Sequence, residues 1–280
     1  MTMLASLNRH WPEYLAEALG LGLFMVSACL FAALLWHPAS PATRILPDGL
    51  ERRALMGTAM GLTAIALIYS PWGRRSGAHL NPATTLTFWR LGKVTGADAV
   101  WYATAQLAGG LGGVLLTAAV LRPALAHPAV HYVVTMPGAG VAGAFAAETA
   151  ITFVLMTVVL HVSNTASRAR LTGLCAGLLV AAYITFESPI SGMSMNPARS
   201  LASAAPAGAW THLWIYFVAP PLGMLAAAEA YVRRHGLGRV YCAKLHHDGG
   251  SRCIFRCRFA EMAAARRAST SMTAAVRPSA

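Results

Sequence analysis

The chain alternates long apolar runs with short polar connectors. Six runs stand out: Ala18–Trp36, Ala54–Tyr69, Ala99–Leu121, Val141–Leu160, Leu171–Phe186 and Leu213–Ala228. Each is almost free of charge, and about 20 apolar residues in a helix cross a hydrocarbon core about 30 Å thick. The pattern predicts six membrane-spanning helices, the fifth being the shortest. The first run is too long for a cleavable leader and ends on no small-residue cleavage pattern, so it counts as a span.

The six runs fall into two similar halves. Tyr14-Leu-Ala-Glu-Ala-Leu near the first span is echoed by Phe145-Ala-Ala-Glu-Thr-Ala near the fourth, which aligns Glu17 with Glu148. Ser76-Gly-Ala-His-Leu-Asn-Pro-Ala-Thr follows the second span, and Ser191-Gly-Met-Ser-Met-Asn-Pro-Ala-Arg follows the fifth. Three spans per half is odd, so the second copy enters the membrane upside-down. That is the inverted-repeat architecture, in which short broken helices meet near the midplane. The expected fold is an all-α membrane protein with six transmembrane helices and two re-entrant half-helices.

Each insert reads as a helix start. Asn81 and Asn196 are good N-caps, and Pro82 and Pro197 suit the first helical position, ahead of Ala83 and Ala198. Half-helices of about Asn81–Trp89 and Asn196–Ala204 are too short to cross the bilayer and would meet N-terminus to N-terminus. Their positive dipole ends, about half a charge each, then converge at mid-membrane. Such a potential opposes cations and hopping protons but not a neutral dipole. Gly77-Ala78-His79 and Gly192-Met193-Ser194 are expected to be extended, with carbonyls forming an acceptor ladder. Arg199, three residues past Asn196, projects into the lumen from the outer side and repels cations.

Composition agrees. Hydrophobic residues make up 56% and charged residues 11%, against about 25% charged in soluble domains. The basic residues behind the net charge of +12 are mostly on one side. Arg9, Arg74, Arg75, Arg90, Lys93, Arg168, Arg170 and the basic tail fall inside, and Arg44, Arg52, Arg53 and Arg122 outside. This predicts both termini in the cytoplasm and a basic face toward anionic lipid rather than nucleic acid.

Two Ser-Gly-x-x-x-Asn-Pro-Ala motifs, the second followed by Arg199, together with Glu17 and Glu148, resemble the aquaporin (major intrinsic protein) family over roughly residues 10–235. The resemblance implies a cell-membrane homotetramer with one passive pore per subunit. It also implies an outer constriction at Arg199, Met193, Ile184 and either Met60 or Gly61. These positions carry neither the aromatic nor the histidine of water-selective members, which is closer to glycerol- and metalloid-permeable ones. Ser200, Ala204, Tyr216 and Phe217 instead follow the water-channel pattern. The expected function is a water channel that also passes small neutral solutes, the alternative being a glycerol-type facilitator.

Other polar groups have plainer readings. Glu17 and Glu148, symmetrically placed, should accept hydrogen bonds from the irregular inserts. His79 reads as structural and Glu187 as a solvated cap. Gly109, Gly110, Gly112 and Gly113 read as close helix packing. A secondary transporter would need a charge partner in the lumen, where Arg199 is the only clear charge. No nucleophile–base pair lies in the spans to suggest an enzyme.

The organisation is then an N-terminal segment 1–12, a channel domain 13–235 (repeats about 13–121 and 141–232), a Cys/His-rich segment 236–260 and a disordered end 261–280. Cys242, His246 or His247, Cys253 and Cys257 could make a tetrahedral zinc site closed by Gly249-Gly250. Free or lipidated thiols are the alternatives. The channel itself calls for no cofactor, and a tail-regulated metal- or redox-sensing channel is the remaining reading.

Overall fold

The computed structural model describes residues 2–247 and 250–264. Eight helices carry the fold: α1 (Met3–Trp36), α2 (Gly49–Tyr69), α3 (Pro82–Arg90), α4 (Gly96–Ala126), α5 (Gly140–Ser163), α6 (Thr172–Phe186), α7 (Pro197–Ala207) and α8 (Leu213–His235). No strand occurs among the described residues. By length and composition α1, α4, α5, Ala169–Phe186 and α8 can cross a membrane. The sixth long helix, α2, has 21 residues but opens on Glu51, Arg52 and Arg53, which dilutes its apolar character.

Two boundaries differ from the sequence reading. The segment expected to precede the first span is already helical from Met3, capped by Thr2 and continuous through Pro12. At about 1.5 Å per residue, the 34 residues of α1 outreach the bilayer. Residues 259–264, partly within the stretch expected to be disordered, are helical. The rest of that stretch, 265–280, and Gly249 of the expected tail turn lie outside the described residues.

The pairings obey the exchange of halves. α1 packs on α4 and α5 on α8, which are equivalent pairs, while α2 packs on its own equivalent α6. Close approach depends on glycine. A Cβ at Gly109 would lie 2.0 Å from the Ala18 carbonyl oxygen, one at Gly223 2.2 Å from that of Thr149, and one at Gly61 2.6 Å from that of Gly177. Gly113 meets the Gly22 carbonyl likewise, and Gly110 meets side chains of Leu21 and Ala202. Gly112 corrects the packing expectation: nothing lies within 4 Å of its would-be Cβ. Small residues let helices approach where no hydrophobic force between helices is available in lipid. The outward faces carry exposed apolar side chains such as Leu19, Leu62, Leu116 and Leu178, as lipid contact requires.

Candidate functional site

The two half-helices start at the middle of one cavity of about 460 Å³ lined by Asn81 and Asn196. Asn81 (φ −158°) and Asn196 (φ −148°) are their N-caps. Asn81 Oδ1 accepts from Ala83 N at 2.8 Å, and Asn196 Oδ1 from Ala198 N at 3.0 Å. The amide nitrogens cross over. Asn81 Nδ2 donates to the Met195 carbonyl and Asn196 Nδ2 to that of Leu80, each at 2.7 Å. An amide NH₂ has two donors, so one per asparagine locks the halves together and one remains for the lumen.

The segments leading to the asparagines are not extended. Gly77 (φ 97°), Ala78 (54°) and Leu80 (49°) are left-handed, as are Gly192 (84°), Met193 (49°) and Met195 (56°). Such φ values are disfavoured for residues with a Cβ, so something must hold them. Two buried carboxylates do. Glu17 accepts from Ser76 Oγ (2.7 Å), His79 N (3.0 Å), Leu80 N (2.6 Å) and Gln106 Nε2 (2.7 Å). Glu148 accepts from Ser191 Oγ (2.8 Å), Ser194 N and Met195 N (both 2.7 Å). Tyr102 OH and Tyr216 OH donate to the Ser76 and Ser191 carbonyls, again as equivalents. The strained turns aim successive amides at one acid, which an extended strand could not do.

Arg199, Met193, Ile184 and Met60 all line the cavity. Arg199 Nη1 donates to the Val133 carbonyl at 2.8 Å, from a turn in which His131, Tyr132 and Val133 are left-handed. Of the two span-two alternatives, Met60 is at the cavity and Gly61 faces α6. The residues that follow the water-channel pattern stand apart from the lumen. Ser200 bonds Thr135 and Ser194, Ala204 is buried, and Phe217 is exposed on the outer surface. Glu187 is buried, 9% exposed, rather than a solvated cap, because the chain turns back into Ser188–Ser191 beside it.

His79 is packed between rings. Phe88 stacks on it at 5.3 Å and 19°, and Phe255 of the tail at 5.3 Å and 7°. Its Nε2, the protonated nitrogen in this arrangement, donates to the Ala243 carbonyl at 2.9 Å. The tail thus reaches the cavity, and Leu245 is one of its lining residues.

The tail also gathers its thiols. Cys242, His247, Cys253 and Cys257 bring their ligand atoms within 4.8 Å of one another. The histidine is His247, not His246. His246 turns its ring edge toward Tyr69 at 4.8 Å, whereas His247 stacks on Phe259 at 4.1 Å with Nε2 3.3 Å from Cys257 Sγ. Hydrogen bonds from the Cys242 and Cys253 thiols hold Cys257 well below the ordinary thiol range, and the same sharing with Cys253 drives Cys242 up. Nothing in the sequence marks Leu245 as a cavity-lining residue, and the adjacent histidines leave the fourth ligand open.

The family model for the major intrinsic protein matches residues 4–231. The chain belongs to the major intrinsic protein family. Curated relatives of this family member include Aquaporin NIP1-3 of Oryza sativa subsp. japonica, 40% identical over 61% of this chain and 58% of its own length. Aquaporin NIP2-2 of Zea mays is 35% identical over 75% of this chain and 71% of its own. The matched stretch of the chain thus spans well under two thirds of the first of these relatives. The aquaglyceroporin from Plasmodium falciparum shares the fold, with a TM-score of 0.66 at 22% identity, covering 79% of this chain and 95% of that one.

Proposed function

We propose that this protein is a passive transmembrane channel for water and small neutral solutes of glycerol size. The observation that carries this reading is the meeting of two capped half-helix N-termini at the cavity's middle, each asparagine bonded to the loop of the other half. A neutral molecule with lone pairs can take the second Nδ2 donors of Asn81 and Asn196. A cation meets two positive dipole ends and Arg199, without the water it would have to shed. No carboxylate among the lining residues offers the ion site a coupled transporter needs.

Solute size is set by Met60, Ile184, Met193 and Arg199. None is an aromatic ring or a histidine, which supports passage of molecules larger than water. The conducting path uses no cofactor. The many Arg and Lys residues on the tail side, among them Arg74, Arg90 and Arg168, support a cell-membrane orientation with both termini cytoplasmic. A homotetramer, one pore per subunit, is the assembly we propose from family membership.

The test is reconstitution in liposomes. Stopped-flow shrinkage under an impermeant osmolyte reads water flux, and swelling in glycerol reads solute flux. Both are expected to exceed those of empty liposomes, with no proton leak above background. A proton or cation current tracking the flux would overturn the electrostatic reading.

A further inference from the structure

The four tail groups lie close enough together to surround one metal ion, their ligand atoms all within 4.8 Å of one another. Zinc–sulfur bonds of about 2.3 Å and zinc–nitrogen bonds of about 2.0–2.1 Å in tetrahedral array place sulfurs about 3.8 Å apart and sulfur about 3.6 Å from nitrogen. Cys242 Sγ lies 3.6 Å from Cys253 Sγ, and Cys257 Sγ 3.3 Å from His247 Nε2. A disulfide would need about 2.05 Å, and all of these cysteines are free. Cys257 Sγ also accepts from the backbone amide of Phe259, two residues on, at 3.4 Å. An amide aimed at sulfur is the outer support that a thiolate bound to a cation uses.

The same short segment lies against one end of the cavity, where Leu245 is a lining residue. Between Cys242 and His247 the chain runs through Ala243, Lys244 and Leu245. The Ala243 carbonyl takes His79 Nε2, and the Leu245 amide donates to the Gly77 carbonyl at 3.0 Å. That carbonyl belongs to the approach to Asn81, where an open pore would offer it to solute. Lys244, 3% exposed, donates to the carbonyls of Arg74 (2.6 Å) and Arg252 (2.7 Å). Phe255, two residues past the second ligand cysteine, covers Gly77 and stacks on His79. Ala243, Lys244, Leu245 and Phe255 thus all lie between Cys242 and Cys257 in the chain.

We propose that Cys242, His247, Cys253 and Cys257 bind a thiophilic divalent cation of the zinc class, and that the metal-folded tail plugs the tail-side mouth of the pore with Leu245 and Phe255. Val240, Ala243, Leu245 and Phe255 are buried against the helices of the channel, and a metal bound by the four ligands adds the cross-link that holds them there. Removing the cation frees the segment and uncovers the Gly77 carbonyl. The metal site stands on its own geometry, and the plug rests on the channel reading above.

The experiment uses the full chain, reduced and reconstituted, with Zn²⁺ as the probe and Co²⁺ as its spectroscopic stand-in. Elemental analysis after gel filtration should find one zinc per chain, and Co²⁺ should give tetrahedral thiolate bands. Both should be lost in the Cys253→Ser/Cys257→Ser variant. Zinc at about 100 times its Kd favours the folded tail about a hundredfold, so a membrane-permeant chelator should raise water flux at least about tenfold. Leu245→Ala/Phe255→Ala should keep its zinc yet conduct with metal present. No stoichiometric zinc overturns the site. Bound zinc with equal flux before and after chelation, and no gain in Leu245→Ala/Phe255→Ala, overturns the plug. If the chelated protein, Leu245→Ala/Phe255→Ala and empty liposomes are all equally slow, the channel reading fails and the plug with it, while zinc content still reports on the site.

Discussion

Asn81 donates through Nδ2 to the carbonyl of Met195, 2.7 Å away across the middle of the cavity. Asn196 returns the bond to Leu80 at the same distance. The two halves of the chain are therefore joined by the groups that would greet a permeating molecule. Position and electrostatics come from one bond pair.

Asn81→Asp separates these roles. Aspartate caps a helix as well as asparagine, so α3 should start where it does now. Its carboxylate cannot donate to Met195, and two acceptors then face each other. An orphaned buried group costs about 1–3 kcal/mol, and a negative charge now opposes the dipole ends. The expected outcome is a modest drop in thermal stability with a measurable proton or cation leak in dye-loaded liposomes. A variant that stays proton-tight would remove the half-helix field from the selectivity argument.

Glu148 gathers three donors and Glu17 four. Glu148→Ala leaves the Ser191 hydroxyl and two amides without an acceptor, at about 1–3 kcal/mol each, on a turn already left-handed at Met193 and Met195. Glu148→Gln keeps one acceptor oxygen but points an NH₂ at a donor. Folded yield on size-exclusion chromatography should fall for both variants and further for Glu148→Ala. If Glu148→Gln folds fully yet loses flux or gains pH dependence, the acid has a proton-handling role that its hydrogen bonds alone do not express.

Much of this architecture was legible because membranes leave the backbone few options. Apolar runs of the right length, an odd number per half and a repeated Asn-Pro-Ala gave the spans, the inversion and the half-helix starts. The approach to each asparagine reads as extended in sequence but is not, because alternating left-handed residues at Ala78, Leu80, Met193 and Met195 leave no signal beyond one flanking glycine. The burial of Glu187 depends on a reversal at Ser188–Ser191 that pattern alone does not announce. The tail was half legible. Cysteine spacing flagged a cluster, but choosing His247 over His246 required knowing that Tyr69 and Phe259 take one ring each. That Leu245 enters the cavity is a long-range fact with no local signature.

Glycine spacing predicts stability rather than selectivity. Gly109→Val would drive a Cβ to 2.0 Å from the Ala18 carbonyl and force α1 and α4 apart. Overpacking typically costs about 1–3 kcal/mol, and backbone is the obstacle here, so the upper end is expected. Gly112→Ala, with nothing within 4 Å, should be neutral or slightly stabilising, since alanine is the better helix former by up to about 1 kcal/mol. Thermal melts in detergent of the two variants side by side would check the contrast. Equal melting points would mean that the α1–α4 crossing is looser than its geometry.

The constriction can be tested at the position the sequence left open. Met60 lines the cavity, and Gly61 turns its backbone to Gly177 on α6. Met60→Phe puts a rigid ring beside Ile184 and Met193 without adding charge. A barrier rise of about 1.4 kcal/mol slows a step tenfold. Glycerol flux should fall by about that factor while water, which needs less width, loses far less. Gly61→Ala should leave the glycerol-to-water ratio unchanged and lower the melting point instead, because its Cβ meets the α6 backbone. The ratio in liposomes decides between them. A ratio that moves with Gly61→Ala and not with Met60→Phe would mean that α2 is rotated in the working channel and that solute size is read elsewhere than at Met60.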